Sequence, residues 1–159
     1  MKPIWSKFWA EYPDYGTDPD SQAVKKEIGG AVNSGWIVNT CALRMSRGLN
    51  YSGVEVPAHF PGMSTVAGGD GKHYAFRVRE VRTWLPNAIG QPDFNVTKKA
   101  GEAFDKSKLA SMKGIIAFDI QFSDATGHLD AWDGSNFSHE YAASDYWTRA
   151  TRITLWKLT

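Results

Sequence analysis

The C-terminal third of this 159-residue chain is written in strands. Gly114-Ile-Ile-Ala-Phe-Asp-Ile-Gln-Phe122 reads as one strand, and Ser123–Gly127 as a turn. His128-Leu-Asp-Ala-Trp-Asp133 follows with period-two alternation and is closed by Gly134-Ser135. Arg152-Ile-Thr-Leu-Trp-Lys-Leu158 is a final strand. The first half is different. Ser6–Glu11 suits a short helix, and the turn formers of 12–22 suit a loop. Asp20 or Ser21 then caps a helix running to about Ile28, where Gly29 and Gly30 stop it. The clearest helix is Thr40–Asn50, with Ala42, Met45 and Leu49 recurring at three- and four-residue spacing. Asn39 or Thr40 suits its N-cap, and Gly53 its end. Residues 54–71 hold two prolines and four glycines and read as a long loop. His73–Arg79 is a strand or the lead-in to a helix carrying Val78, Val81 and Leu85. Residues 86–112 are mixed. Helices first and an antiparallel sheet later predict an α+β fold in one domain spanning 1–159.

Cys41 is the single cysteine, so no intramolecular disulfide or thiolate metal cluster can form. The core must come from burial of the 42% of residues that are apolar. A formal charge of +1 gives no case for nucleic acid, which requires a concentrated basic face. Arg77, Arg79 and Arg82 cluster, but Glu80 interrupts them, and they read as a solvated face. The opening residues lack the apolar stretch and small-residue cleavage site of a secretory signal, and no segment has the length of a membrane span. The expectation is a protein that is cytosolic where it is made, with no membrane insertion.

Cys41 opens its helix. Unpaired backbone N–H groups there favour a thiolate, the nucleophilic form toward an amide carbonyl. A buried, inert cysteine is the competing reading. His128 begins a strand after a turn, from where it can project off the sheet toward a packed helix. Asp130, two residues on, shares its face and suits a base-orienting group. A cysteine at a helix head followed much later by a histidine on an antiparallel sheet is the layout of papain-like hydrolases.

Several stretches carry a closer likeness: Ile28-Gly-Gly-Ala-Val32, Asn39-Thr-Cys-Ala-Leu-Arg-Met-Ser46 with Leu49-Asn50 and Gly53, and Tyr74-Ala-Phe-Arg-Val78. Lys113-Gly-Ile-Ile116, Gly127-His-Leu-Asp-Ala-Trp-Asp-Gly134 and Leu155-Trp-Lys-Leu158 complete them. From about residue 28 to the end, the chain resembles the fourth subfamily of type VI secretion amidase effectors, which are NlpC-type papain-like enzymes. The resemblance implies a toxin loaded from the producer's cytosol and delivered to the periplasm of rival Gram-negative cells. It implies a DL-endopeptidase cutting between D-glutamate and meso-diaminopimelate in peptidoglycan stems. It also implies a periplasmic immunity protein that plugs the active site, and no metal or cofactor. Cys41 and His128 match the family's nucleophile and base. The family's third position corresponds to His139, with Asp130 and Asp145 as rivals for orienting the base.

Other residues have narrower readings. The backbone N–H of Cys41 suits an oxyanion donor. Arg44, one turn along, is either a partner for the diaminopimelate carboxylate or half of a structural ion pair. Trp36 is either groove wall or core. His59 and His73 lack metal-ligand spacing with the other histidines. Gly68-Gly69-Asp70-Gly71 lacks the Lys and Ser/Thr of a phosphate loop and reads as a mobile loop bordering the groove. The rival functions are a housekeeping or phage wall hydrolase, an acyltransferase or deamidase using the same dyad, and a non-catalytic binding module. Iodoacetamide separates an active thiol from the module. At about pH 6 the Cys41 thiol should be alkylated rapidly, and slow alkylation would favour the inert module.

Overall fold

A computed structural model of the chain describes residues 1–13, 20–121, 127–138 and 145–159. Its helices and strands run α1 (Trp5–Glu11), α2 (Ser21–Ile28), α3 (Cys41–Asn50), β1 (Thr65–Ala67), β2 (His73–Ala75), α4 (Val78–Ile89), β3 (Phe94–Thr97), β4 (Gly114–Asp119), β5 (His128–Trp132), α5 (Tyr146–Arg149) and β6 (Arg152–Lys157). The expected α+β architecture holds, with N-terminal helices against a C-terminal antiparallel sheet. Phe122, most of the 123–127 turn and residues 14–19 of the first loop lie outside the described residues.

The main sheet is antiparallel throughout, in the order β3-β6-β4-β5. Both of its faces are covered. On one, Ile115, Ala117, Leu129, Ala131 and Trp156 pack with Ala42, Met45 and Leu49 of α3 and with Val81 and Leu85 of α4. On the other, Ile116, Phe118, Ile153 and Leu155 meet Leu109, Trp147 and Ala150. The Ile-Ile-Ala-Phe run of β4 is therefore buried at every position. Alternation is lost because neither face of that strand meets water. Each fully buried aliphatic or phenyl side chain stabilises the fold by roughly 1.5–3 kcal/mol.

Local chemistry sets the helix ends. Asp20 caps α2 by accepting from the Ala23 N–H at 2.8 Å, and Gly29 ends it at φ 72°. In α3, Thr40 is the N-cap residue but its side chain makes no capping bond. Asn39 supplies one instead, its Oδ1 accepting from the Cys41 N–H at 3.0 Å. At the other end of the chain order, α1 is tied to the C-terminus through the Trp5 N–H and the Thr159 carbonyl.

Four expectations are corrected. The 54–71 loop contains β1, which pairs with β2 (Val66 opposite Tyr74) to make a short hairpin. The hairpin turn is not mobile but pinned, because the Asp70 carboxylate accepts from Tyr51 Oη, Tyr74 Oη and the Lys72 N–H at 2.7, 2.6 and 3.0 Å. The mixed 86–112 segment holds β3, which pairs with β6, and α4 runs through Pro86 to Ile89. Arg82 does not sit on a solvated face. It donates to Asp119 Oδ1 at 2.9 Å and to Thr154 Oγ1 at 2.7 Å.

Gly30 joins the hairpin to α2. Its φ is 63°, and an added Cβ would lie 2.6 Å from the Gly69 nitrogen, while the Gly69 N–H donates to the Ile28 carbonyl at 3.0 Å. Gly30→Ala combines left-handed backbone with a backbone clash. It should cost about 2–4 kcal/mol, seen as a fall of roughly 5–10 °C in melting temperature. An unchanged melt would refute that packing.

Candidate active site

Cys41 and His128 are 87 positions apart in sequence, yet the Cys41 Sγ lies 3.1 Å from the His128 Nδ1. Two elements bring them together. The first turn of α3 presents the sulfur, half-exposed. Among the described residues β5 is the edge strand of the sheet, and no further strand of theirs stands between the start of β5 and the helix head. Gly127, just before the histidine, has no room for a side chain, since an added Cβ would meet the Phe118 carbonyl oxygen at 2.9 Å.

The second ring nitrogen of His128 faces Asp130 Oδ2 at 3.0 Å. Period-two geometry puts the two side chains on one face, so a neighbour on the same strand is within reach. Asp130 is fully buried. Its other oxygen accepts from the Ala131 N–H at 2.8 Å and from Ser138 Oγ at 3.1 Å. A buried carboxylate stays charged only when its lone pairs are so occupied.

The imidazole is nearly sealed from solvent, between Phe118 and Tyr146, whose ring centres lie 6.4 and 4.8 Å away. Burial alone would push its pKa down. The negative charge available at Cys41 and the hydrogen bond and charge of Asp130 outweigh that, raising it to about 10. Tyr146 is raised by burial first, then by the same two negative groups. The chemistry open to this arrangement is transfer of the thiol proton to Nδ1, with the imidazolium held by Asp130.

The expected residues fall into place unevenly. Cys41, His128 and Asp130 converge. Asp145 does not join them, since its carboxylate lies 3.6 Å from Arg149 Nη1 at the surface. His139 lies outside the described residues. Arg44 is buried, donating to the Pro13 carbonyl at 2.9 Å and to Thr40 Oγ1 at 3.4 Å, so it is not a groove-side partner for a carboxylate. Trp36 is 59% exposed and is therefore not core. The Cys41 N–H, expected to face an oxyanion, is engaged by Asn39. Ser138, Tyr146 and Phe118 were missed. Phe118 was in principle readable, because register places it opposite His128. Tyr146 and Ser138 lie beyond β5 and had no local signal.

Among the described residues, no three His, Cys, Asp or Glu side chains are grouped to hold a metal ion, and no helix is long and apolar enough to cross a membrane.

Comparison with known proteins decides the family. A family model described as type VI secretion system amidase effector protein 4 (Tae4) matches residues 37–156. The chain belongs to the type VI secretion amidase effector 4 family. It is therefore a secretion-system amidase effector, an antibacterial toxin directed at peptidoglycan. Among solved structures, the Tae4 effector of Enterobacter cloacae in complex with Tai4, its immunity protein, is 30% identical. It aligns with a TM-score of 0.86, covering all of both chains. The same organism's Tae4 alone is 31% identical, with a TM-score of 0.84, over 100% of this chain and 98% of that one. The Tae4/Tai4 structure from Salmonella typhimurium gives 28% identity and a TM-score of 0.86 over the whole of both chains. These likenesses establish a papain-like, NlpC-type fold. No curated protein matches the chain.

The raised His128 pKa has a direct readout. In side-chain NMR titrations, with His128→Gln used to assign the resonance, His128 should remain protonated beyond pH ~8. Asp130→Asn removes a charge that favours the imidazolium, so the midpoint should move down. A wild-type midpoint near 6.5 would contradict the geometry.

Proposed function

We propose that the chain is a cysteine peptidase, one catalytic domain spanning residues 1–159, that cuts the D-glutamate–meso-diaminopimelate amide bond of peptidoglycan stems. The observation that carries this reading is the 3.1 Å approach of Cys41 Sγ to His128 Nδ1, with Asp130 3.0 Å from the other ring nitrogen. Cys41 is the nucleophile, His128 the general base and then acid, and Asp130 the group that fixes the ring's tautomer and orientation.

The thiol proton passes to Nδ1, and the thiolate attacks the γ-carbonyl of D-glutamate. The C–S bond forms as the carbonyl π electrons move to oxygen. The Cys41 N–H, held by Asn39 before substrate arrives, turns to that oxyanion when Asn39 yields it. Collapse of the tetrahedral species breaks the C–N bond, and His128 Nδ1–H protonates the departing diaminopimelate amine. Water, deprotonated by His128, then attacks the thioester and releases the glutamate carboxylate with the thiol restored. No metal or cofactor enters the scheme.

Family membership supports the setting. The toxin is loaded by the type VI machinery from the producer's cytosol and acts in the target's periplasm. A cognate periplasmic immunity protein closes the active site, as the effector–immunity complexes of the Enterobacter and Salmonella relatives suggest.

Purified Gram-negative sacculi, with mass analysis of the released muropeptides, test the reading. Wild type should generate fragments ending in D-glutamate. Cys41→Ala and His128→Ala should abolish release, and Asp130→Asn should slow it on the order of 10²–10⁴-fold. Full activity of Asp130→Asn together with its loss in His139→Ala would transfer the orienting role to His139. Release by Cys41→Ala would end the proposal.

A further inference from the structure

A pocket of about 190 Å³ lies beside the nucleophile, lined by Trp36, Ile37, Val38, Asn39, Phe76 and Arg77. Its link to the candidate site runs through Asn39, at the head of α3. Asn39 is hydrogen-bonded to the Cys41 N–H. A substrate seated over the sulfur therefore has this pocket as its neighbour.

The walls are held, not collapsed. Trp36 and Val38 are 59% and 63% exposed, an unusual state for large apolar side chains next to a nucleophile. Trp36 meets Phe76 edge-on, with ring centres 4.8 Å apart. The loop carrying Trp36 is fastened from inside by the buried Lys25, whose ammonium donates to the Ser34 and Ile37 carbonyls at 2.8 Å each. Rigid, exposed aromatic surface of this kind suits a ligand's aliphatic stem.

Arg77 supplies the charge. Its guanidinium rests on the Phe76 face, 4.9 Å from the ring centre. Its Nη1 donates to Ser64 Oγ and Glu80 Oε2, both at 3.3 Å. Among the described residues nothing engages the Nε and Nη2 N–H groups, the edge of the fork that grips a carboxylate in bidentate fashion. We infer that Arg77 is a specificity residue that binds a free carboxylate of the peptide stem, while Trp36 and Phe76 hold the adjoining aliphatic chain. The inference rests on the proposed cleavage of peptidoglycan stems. Two stem groups offer that chemistry, the α-carboxylate of the γ-linked D-glutamate and the free carboxylate of diaminopimelate.

Three synthetic stems distinguish them, each with the L-centre carboxyl of diaminopimelate capped as its amide so that only the D-centre carboxylate stays free: L-Ala-γ-D-Glu-meso-diaminopimelate, its analogue with the glutamate α-carboxylate amidated, and its analogue with the D-centre carboxylate amidated. Arg77→Gln should raise KM on the unmodified stem by roughly 10- to 100-fold with kcat little changed. Arg77→Lys should restore part of the loss. One amidated analogue should show the same raised KM with wild type and no further change with Arg77→Gln, and that analogue identifies the carboxylate. Equal effects of Arg77→Gln on all three stems, or none on any, would overturn the inference. Thermal melts of both variants report folding. Calorimetric binding of the stems to Cys41→Ala, with and without Arg77→Gln, reads recognition without turnover. Arg77-dependent binding beside a wild type that cuts no stem would sink the proposed reaction and leave the pocket standing.

Discussion

The centre of this molecule is a line of three polar groups, sulfur, imidazole and carboxylate, threaded through an apolar interior. Its inner end is the most demanding. Asp130 has no access to water, and a bare carboxylate there would be strongly unfavourable or would neutralise by taking up a proton. Contacts to His128, the Ala131 N–H and Ser138 replace its hydration. With that charge secured, the buried imidazole can carry a proton despite losing its own water. The outer end is more tolerant, because Cys41 is half-exposed at a helix head.

The fold serves this line by fixing both of its supports. The apolar stripe of α3 is buried in the cluster that includes Leu129 and Ala131 of β5. The same strand turns His128 and Asp130 to its opposite face. Helix and strand thus cannot shift relative to one another without disturbing the core that both share. Such rigidity suits a site whose groups must meet within a few tenths of an ångström. The second cluster backs the imidazole through Phe118, which itself contacts Trp147 and Phe137.

Around the line the polar groups divide into those that build and those that remain open. Lys25, Arg44 and Arg82 spend their donors on carbonyls, hydroxyls or a carboxylate of the chain itself. They fasten loops that would otherwise drift. Arg77 and Trp36 stay exposed and line the pocket that Asn39 shares. Sequence alone leaves Arg44 either a contact for an anionic substrate or half of a structural ion pair, and reads Arg77 as part of a solvated face. Helical spacing places both near the active segments but does not say which guanidinium is sealed beneath Pro13.

Much of the fold was legible because its signals are local. Ala42, Met45 and Leu49 mark one helical face, Asp20 and Gly29 punctuate α2, and the three C-terminal strands carry their own composition. The i, i+2 relation of His128 and Asp130 is equally local, so their pairing could be foreseen from strand geometry alone. Residues with no local signal escaped. The β1–β2 hairpin is short and lies in glycine-rich sequence, where its turn is held by Asp70 joining Tyr74 of β2 to Tyr51 at the end of α3. β3 becomes a strand because β6 offers it an edge. What the sequence by itself determined was the set of elements and the chemical types at the head of α3 and the start of β5. Only tertiary structure decided that a sulfur and an imidazole 87 residues apart lie in contact, and which arginine stays exposed, because long-range packing and burial, unlike helix and strand periodicity, are properties of the assembled core.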